Sequence, residues 1–306
     1  MTIGIISHPE CLLHEMGPFH PESPERIQII DTALRNSEFV QDLRFYKALA
    51  ATRDQLIAVH DPAYVARIFQ YAPNSGRLDL DPDTSMNPHT LQAALFAAGS
   101  VIQGVDLVMK QEVNQIFCNV RPPGHHAEHN KAMGFCFFNN IAVGVAHALN
   151  NYKLNKVAIV DFDVHHGNGT EDIFRENEKV LFCSSFQYPF YPFNEVIQNN
   201  PHILHIPINP GRDNEYFKNM VSSHWLPTLH QFQPEMIFIS AGFDAHKQDP
   251  LANLNFTEED YYWISKEIFN IATLHCEGKI ISALEGGYNL NVLGSSVVAH
   301  LSAFIK

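Results

Sequence analysis

The sequence predicts an α/β protein with a mostly parallel sheet and helices on both faces. Seven short runs rich in β-branched residues recur along the chain, and they are nearly continuous in apolar residues instead of alternating with polar ones. Such runs are typical of parallel strands buried on both faces. Stretches with helical periodicity lie between them. Strands that alternate with helices favour a sheet sandwiched between two helical layers.

The predicted elements can be placed in chain order. A helix is expected to begin at Ser23-Pro24, where a capping residue precedes a proline in the first turn, and another to follow Thr257, where Thr257 and Asp260 resemble a capping box. Two further helices are predicted over residues 91–110 and 139–150. The predicted strands cover residues 3–7, 115–120, 156–161, 179–184, 202–207, 236–241 and 279–285.

The chain is expected to form one domain over residues 1–306, because no internal repeat, low-complexity block or Pro/Ser-rich linker interrupts it. Its longest segments without clear periodicity, residues 71–89 and 186–200, are predicted to be surface loops. Loops of that length are often functional.

Composition narrows the class of protein. Of the 306 residues 45% are hydrophobic and 17% charged, which predicts a globular chain, and no apolar run near the length of a membrane span is visible. The net charge of −13 argues against direct nucleic-acid binding and favours cationic substrates. Without a basic and apolar leader at Met1, a cytoplasmic location is expected.

The cysteines indicate no metal or redox site, whereas the number of histidines suggests one. The five cysteines contain no C-x-x-C pair, and four lie in strongly apolar stretches, where they are predicted to be small buried hydrophobes. The 18 histidines nearly equal the 20 Lys plus Arg. Because imidazole is the commonest metal ligand and a base near pH 7, a cluster of histidines would indicate a metal or catalytic site.

Four predicted strands end in Gly-rich, ionisable sequence, at residues 121–127, 161–169, 241–246 and 285–288. In an open α/β sheet, ligands bind beyond the carboxyl ends of the strands. We therefore expect the four ends to face one crevice and to form an active site.

Asp163, His165 and Asp244 are candidate ligands of a zinc ion. The spacing i, i+2 places Asp163 and His165 on one side of an extended chain. With Asp244 they would supply three of four tetrahedral positions, which leaves one for water and substrate. The alternative is that the aspartates cap helices and that the histidine packs in the core.

The adjacent His125 and His126 are better candidates for general bases than for ligands of one metal, because successive side chains of an extended chain point to opposite sides. Tyr288 follows two glycines that would let the backbone approach a ligand closely. Its hydroxyl could donate a hydrogen bond to an oxyanion, although such a segment is also a common turn.

The blocks at residues 121–127, 134–140, 161–170, 241–251 and 285–288 resemble, in order, the signature blocks of the zinc-dependent histone deacetylase family. The resemblance extends to residues 20–26 and so covers nearly the whole chain. It implies an arginase-like α/β fold with about eight strands. With Asn168 in its DVHHGNGT block, the sequence is similar to the class II and bacterial branch.

The resemblance also implies roles for individual residues. It makes Asp163, His165 and Asp244 the ligands of one zinc ion, His126 the principal base and His125 a mainly electrostatic partner. Asp161 and Asn168 would orient these two histidines. Tyr288, a tyrosine and not the histidine of poorly active relatives, predicts a competent deacetylase.

The same resemblance implies a substrate tunnel and structural potassium. Arg26 would lie near a pocket from which acetate is released. The tunnel would involve Gly134, Phe135, Tyr191, Leu251 and Gly287. One potassium ion would lie at Asp161, Asp163, His165, Ser184 and Ser185, and a second near Phe174, Asn177 and Val180.

Departures from the family pattern affect the rim and the substrate. Phe186 stands where relatives commonly have histidine, and Phe193-Asn194-Glu195 replaces a Gly-containing turn. Leu251 stands where acetylpolyamine-selective relatives carry a glutamate. Leucine therefore favours acetyl-lysine in proteins or peptides as the partner.

Three other interpretations stay open at this point. The chain could be an acetylpolyamine or other small-amide deacetylase, a non-catalytic acyl-lysine binder, or a ureohydrolase with two Mn²⁺. The last needs a second set of ligands beside Asp163, His165 and Asp244. The site formed by Asp163, His165 and Asp244 could also accept Fe²⁺ in place of Zn²⁺. The oligomeric state is left open.

Overall fold

The structure is a computed structural model that describes residues 2–194, 196, 200–212 and 214–305. Its centre is an eight-stranded sheet in which every pair of neighbours is parallel, in the order β2-β1-β5-β10-β9-β6-β7-β8. The predicted fold class is therefore confirmed. These strands are β1 (Ile3–Ser7), β2 (Leu43–Lys47), β5 (Gln115–Cys118), β6 (Val157–Asp161), β7 (Val180–Gln187), β8 (Ile203–Ile208), β9 (Met236–Ala241) and β10 (Ile280–Leu284).

All seven predicted strands are present, with ends shifted by up to three residues. The eighth strand, β2, was not predicted. It lies at the edge of the sheet, and most of its residues are exposed or half-buried. An edge strand with one exposed face does not show the continuous apolar run that marks the interior strands.

The helices predicted from periodicity and capping are also present. The capping box of Thr257 forms as expected, with the Thr257 backbone N–H donating to Asp260 Oδ2 at 2.9 Å. The helices are α1 (Glu25–Arg35), α2 (Arg53–Leu56), α3 (Pro62–Tyr71), α4 (Thr90–Met109), α5 (Asn140–Asn151), α6 (Asn168–Phe174), α7 (Asn214–Met220), α8 (Leu226–Phe232), α9 (Glu258–Cys276) and α10 (Leu290–Ser302).

Helices cover the sheet in two groups, α4 with α5, and α1 with α10 and α9. By length and composition α4 could cross a membrane, which the sequence argument did not anticipate. However, 72% of its apolar window is buried inside the protein, and it packs against α5, β1, β5 and β10. A helix in a protein core passes the same test. All five cysteines are buried free thiols.

The two predicted loops need correction. Residues 78–86, inside the first of them, form an antiparallel hairpin of β3 (Leu78–Asp81) and β4 (Thr84–Met86). In the second, Phe186 and Gln187 still belong to β7. Glu195, Ile197, Gln198 and Asn199 lie outside the described residues.

The strand order brings the predicted clusters together. β5, β10, β9 and β6 are consecutive neighbours in the sheet, and they are the four strands whose ends carry ionisable sequence. Because all four run parallel, their carboxyl ends lie at one edge of the sheet.

Candidate active site

Asp163, His165 and Asp244 meet just beyond the carboxyl ends of β6 and β9. His165 Nδ1 lies 3.0 Å from Asp163 Oδ1 and 3.2 Å from Asp244 Oδ2. Ligands at about 2.0 Å from a tetrahedral ion are separated by about 3.3 Å, so these distances suit a shared metal. The side chains of both aspartates are fully buried, and 12% of the His165 side chain is exposed.

Backbone N–H groups orient the two carboxylates. Asp163 Oδ2 accepts from Gly286 N at 2.8 Å, and Asp244 Oδ1 accepts from Val164 N at 2.9 Å. A Cβ atom on Gly286 would lie 2.0 Å from Asp244 Oδ2. The glycine is therefore required for the close approach of the backbone to the carboxylates.

The three residues fit a divalent cation. Asp244 Oδ2 is buried, and within the described part of the chain it accepts no hydrogen bond. Burial lowers the pKa of His165, but Asp163 and Asp244 raise it more, to about 10. The pocket between the two carboxylates thus favours a positive charge, which a metal would supply in place of the proton.

His126 is held as a neutral base. Its Nδ1 lies 2.7 Å from Asn168 Oδ1, and Asn168 Nδ2 donates to Glu128 Oε1 at 2.8 Å. This orientation of the amide makes Nδ1 the protonated nitrogen and leaves the lone pair on Nε2. Burial, together with the neighbouring His125 and His165, holds the pKa of His126 well below its ordinary value.

His125 is held in the opposite state. Its Nδ1 lies 2.9 Å from Asp161 Oδ2, and its backbone N–H donates to Glu285 Oε2 at 3.0 Å. Burial alone would lower the pKa of His125, but Asp161 and Asp163 raise it well above the ordinary value. The environment therefore shifts the pKa values of the adjacent histidines in opposite directions, up for His125 and down for His126.

Tyr288 lies at the turn after β10, and its position is set from two sides. Asp249 Oδ2 accepts from Tyr288 N at 2.7 Å. Arg26 donates to the carbonyl oxygens of Gly287 at 2.6 Å and Glu285 at 2.5 Å, and its guanidinium carbon lies 4.9 Å from the centre of the Tyr288 ring. Desolvation and the Asp244 charge raise the pKa of Tyr288 well above 10, so the hydroxyl keeps its proton.

Glu22 holds the arginines behind this turn. Its carboxylate pairs with Arg26 at 3.1 Å and with Arg121 at 2.6 Å, and the side chains of Glu22, Arg26 and Arg121 are all fully buried. Burial alone would raise the pKa of Glu22, but the charges of Arg121 and Arg26 lower it by more, so that the net pKa is about 2. An ionised Glu22 therefore neutralises the buried Arg26 that contacts Gly287 and Glu285.

We expect Glu22→Gln to lower the free energy of unfolding by about 3–5 kcal/mol at pH 7, because it leaves buried arginine charge unpaired. Since the folded pKa lies below the unfolded value of 4.5, the contribution of Glu22 is present above pH 4.5 and is lost as the pH falls towards 2. Denaturant unfolding from pH 7 to pH 3 should show the difference between wild type and variant shrinking with acid.

The matched control is Asp31→Asn, which breaks a surface pair with Arg35 whose partners are 39% and 55% exposed. That change should cost about 0–1 kcal/mol. A Glu22→Gln protein as stable as this control would contradict the assignment of Glu22.

A cavity of about 220 Å³ opens onto these groups. Gly134 and Phe135 both have positive φ, 55° and 68°, and a Cβ on Gly134 would lie 2.4 Å from the His126 ring. The β3–β4 hairpin supports them, since Asp83 Oδ1 and Thr84 Oγ1 accept from their backbone N–H groups. The cavity is lined by Asp83, His126, Gly134, Phe135, His165, Tyr191, Leu251 and Tyr288.

Two residues that the sequence analysis linked to the tunnel and its rim are not among those that line this cavity. Gly287 was expected in the tunnel, but its carbonyl faces Arg26 and a Cβ there would meet Leu293 and Phe243. Phe186, the departure from the family pattern whose effect on the rim was left open, is only 2% exposed and packs against His166 and His205. It is an interior residue because β7 continues through it.

The potassium sites stay predictions. Asp161 and Ser184 are register neighbours on β6 and β7, next to Ser185. Ser184 Oγ is buried and lacks a hydrogen-bond partner among the described residues, as the ligand of a cation would. The second predicted site, at Phe174, Asn177 and Val180, lies at the other end of β7, away from the catalytic groups.

Sequence reasoning assigned no role to several residues that orient the site. Asp249 bonds the Tyr288 backbone, Glu128 fixes the Asn168 amide, and Asp83 supports Gly134. Glu285 accepts from the backbone of Gly124 at 2.6 Å and of His125. Only Asp249 and Glu285 carried a signal, because they lie inside the motif blocks.

Comparison with known proteins gives the same family. The chain matches the histone deacetylase domain family over residues 20–304. It is 31% identical to a histone deacetylase-like amidohydrolase of Pseudomonas aeruginosa, over 95% of this chain and 84% of the relative. It is 33% identical to a probable deacetylase of Archaeoglobus fulgidus, over 95% and 82% of the two chains. The crystal structure of the HDA15 HD domain superposes with a TM-score of 0.88 at 30% identity, covering 99% of this chain and 88% of that one. This chain is therefore an amidohydrolase of the histone deacetylase family.

Proposed function

We propose that this protein is a zinc-dependent deacetylase that removes acetyl groups from lysine side chains in proteins or peptides and releases acetate. The observation that carries the proposal is the cavity lined by His126, His165 and Tyr288. A neutral base, a protonated hydroxyl donor and a candidate metal ligand thus border the space that a substrate would enter.

Asp163, His165 and Asp244 would hold the zinc ion. When bound there, zinc would polarise the acyl carbonyl and acidify a water molecule. With two carboxylates against a dication, the site would be formally neutral. The buried carboxylates are already held by the backbone of Gly286 and Val164, so little reorganisation is required on binding.

The protein's own groups then carry the proton transfers. His126 Nε2 takes a proton from the attacking water, and the Tyr288 hydroxyl donates a hydrogen bond to the oxygen of the tetrahedral carbon. His126, now an imidazolium, returns the proton to the lysine nitrogen as the C–N bond breaks. The nascent acid then gives its proton to the amine, so that acetate and the lysine ammonium are the products. His125, hydrogen-bonded to Asp161, would act as an electrostatic partner.

The cavity walls support a lysine side chain as substrate. Phe135 and Tyr191 line the cavity, and each methylene of a lysine chain that they bury contributes about 0.8 kcal/mol. Leu251 also lines it, and leucine offers no charge to a second ammonium group of a polyamine. The net charge of −13 would attract lysine-rich segments.

A direct comparison of substrates tests the proposal. We expect a larger kcat/KM for an acetyl-lysine peptide than for acetylspermidine or acetylputrescine, and loss of activity with a chelator that zinc restores. Leu251→Glu should shift the ratio of the two kcat/KM values towards acetylpolyamines by at least about tenfold, the factor for about 1.4 kcal/mol of one added ion pair.

Leu251→Gln is the matched control, since it adds a polar group of the same length without charge and should shift the ratio much less. Faster turnover of acetylpolyamines by the wild type would overturn the assignment to protein or peptide substrates. Full activity after complete removal of metal would overturn the dependence on zinc.

A further inference from the structure

A second cluster of metal-ligating side chains lies outside the active site. It joins His166 from the loop after β6, Glu171 from α6 and His205 from β8. Glu171 Oε2 lies 2.8 Å from His166 Nε2 and 2.8 Å from His205 Nε2, and the two Nε2 atoms are 3.2 Å apart. Three potential donor atoms therefore form a nearly regular triangle.

All three side chains are removed from solvent, with exposures of 3% for His166, 1% for Glu171 and 4% for His205. Glu171 Oε2 and His205 Nδ1 are buried, yet neither has a hydrogen-bond partner in the part of the chain that is described. An unpaired carboxylate oxygen in the interior is costly. Each Nε2 atom, at 2.8 Å, could donate a proton to Glu171 Oε2, and a cation bound by all three atoms would supply the same positive charge in place of those protons.

We propose that His166, Glu171 and His205 bind a divalent transition-metal ion, with zinc as the first candidate. Three donors about 3 Å apart match three corners of a tetrahedron around an ion with bonds of about 2.0–2.1 Å. Two imidazole nitrogens select zinc or a similar transition metal over Mg²⁺ and Ca²⁺, which prefer oxygen ligands.

Polar groups lie against two of the three ligands. Asn194 Oδ1 lies 3.3 Å from His166 Nδ1 and would accept its proton when Nε2 binds the ion, and Arg175 Nη2 donates to Glu171 Oε1 at 3.3 Å. Phe186 packs against both imidazoles, with ring centres 4.7 Å from His166 and 5.5 Å from His205. The phenylalanine is thus an apolar wall of the cluster.

The location indicates a structural role for the ion. His205 lies on β8, the edge strand of the sheet, and Glu171 lies on the short helix α6 between β6 and β7. A metal here would tie the edge strand to the helix that begins at Asn168, the residue that orients His126. The cluster shares no residue with Asp163, His165 and Asp244, so each site can be emptied separately.

Metal content tests the proposal without relying on activity. Protein stripped with a chelator is titrated with Zn²⁺, and bound zinc is counted by elemental analysis after gel filtration. We expect two equivalents in the wild type, one in Glu171→Gln, one in Asp163→Asn and none in the double variant. Zn²⁺ should raise the Tm of Asp163→Asn by a few degrees and leave the Tm of the double variant unchanged.

His205→Asn serves as a second variant, and stripped samples compared by circular dichroism control for misfolding. With Co²⁺ in place of zinc, the Asp163→Asn variant should show visible ligand-field absorption from the second site. Adding either Glu171→Gln or His205→Asn to that variant should remove the absorption. One zinc equivalent in the wild type that Asp163→Asn abolishes would overturn the second site. Two equivalents retained in Glu171→Gln would overturn it as well, whatever the enzyme's substrate proves to be.

Discussion

His126→Ala is expected to lower kcat by about 10² to 10⁴, the contribution of a positioned general base. Asn168 holds the proton on Nδ1, so Nε2 alone is available to take a proton from water. The effect should fall on kcat more than on KM, because proton transfer matters in the transition state and not in binding.

The pH profile adds a second readout. Since the pKa of His126 is held well below its ordinary value of 6.5, the wild type should keep a deprotonated base, and full activity, at pH 7 and somewhat below. Activity should fall only as His126 takes up a proton at lower pH, and this acid limb should be lost in His126→Ala. The exposed His224→Ala is the control for removal of an imidazole, and a loss of the same size there would contradict the assignment.

Tyr288→Phe should lower kcat by about 10² to 10³, the usual cost of one oxyanion donor. The variant keeps the ring, and with it the edge-to-face contact with Phe135 at 6.0 Å and the contact with Arg26. Only the hydroxyl is lost, so substrate binding and KM should change little. Steady-state kinetics on an acetyl-lysine peptide measures both quantities.

Tyr262→Phe is the matched control, because Tyr262 lies on the exposed side of α9 and should retain wild-type turnover. Undiminished turnover in Tyr288→Phe would remove Tyr288 from the proposed mechanism. A rise in KM with unchanged kcat would instead make it a substrate-binding residue.

Much of the fold could be predicted from local pattern, and the exceptions have physical causes. The strands in the interior of the sheet read as continuous apolar runs because both faces are buried. β2 was not predicted because an edge strand keeps one face in water. The β3–β4 hairpin was not predicted because its strands have only four and three residues and β3 is acidic and partly exposed.

The candidate site was predictable where its residues are neighbours in the chain. Asp163 and His165 are two residues apart, and the DVHHGNGT block carries the family resemblance. Asp244 joins them because β9 lies beside β6 in the sheet. Glu22 reaches Arg121 across 99 residues, and Asp249 reaches Tyr288 across 39, and no spacing rule anticipates such pairs.

The sequence by itself therefore determined the class of fold, the family, and which residue types could perform the chemistry. Tertiary structure decided which nitrogen of His126 carries the proton and which carboxylates accept hydrogen bonds from backbone N–H groups. It also placed His205 against Glu171 and His166. The reason is that local pattern reports burial and chain geometry, whereas the partner of a buried polar atom depends on strand order and on side chains that are distant in sequence.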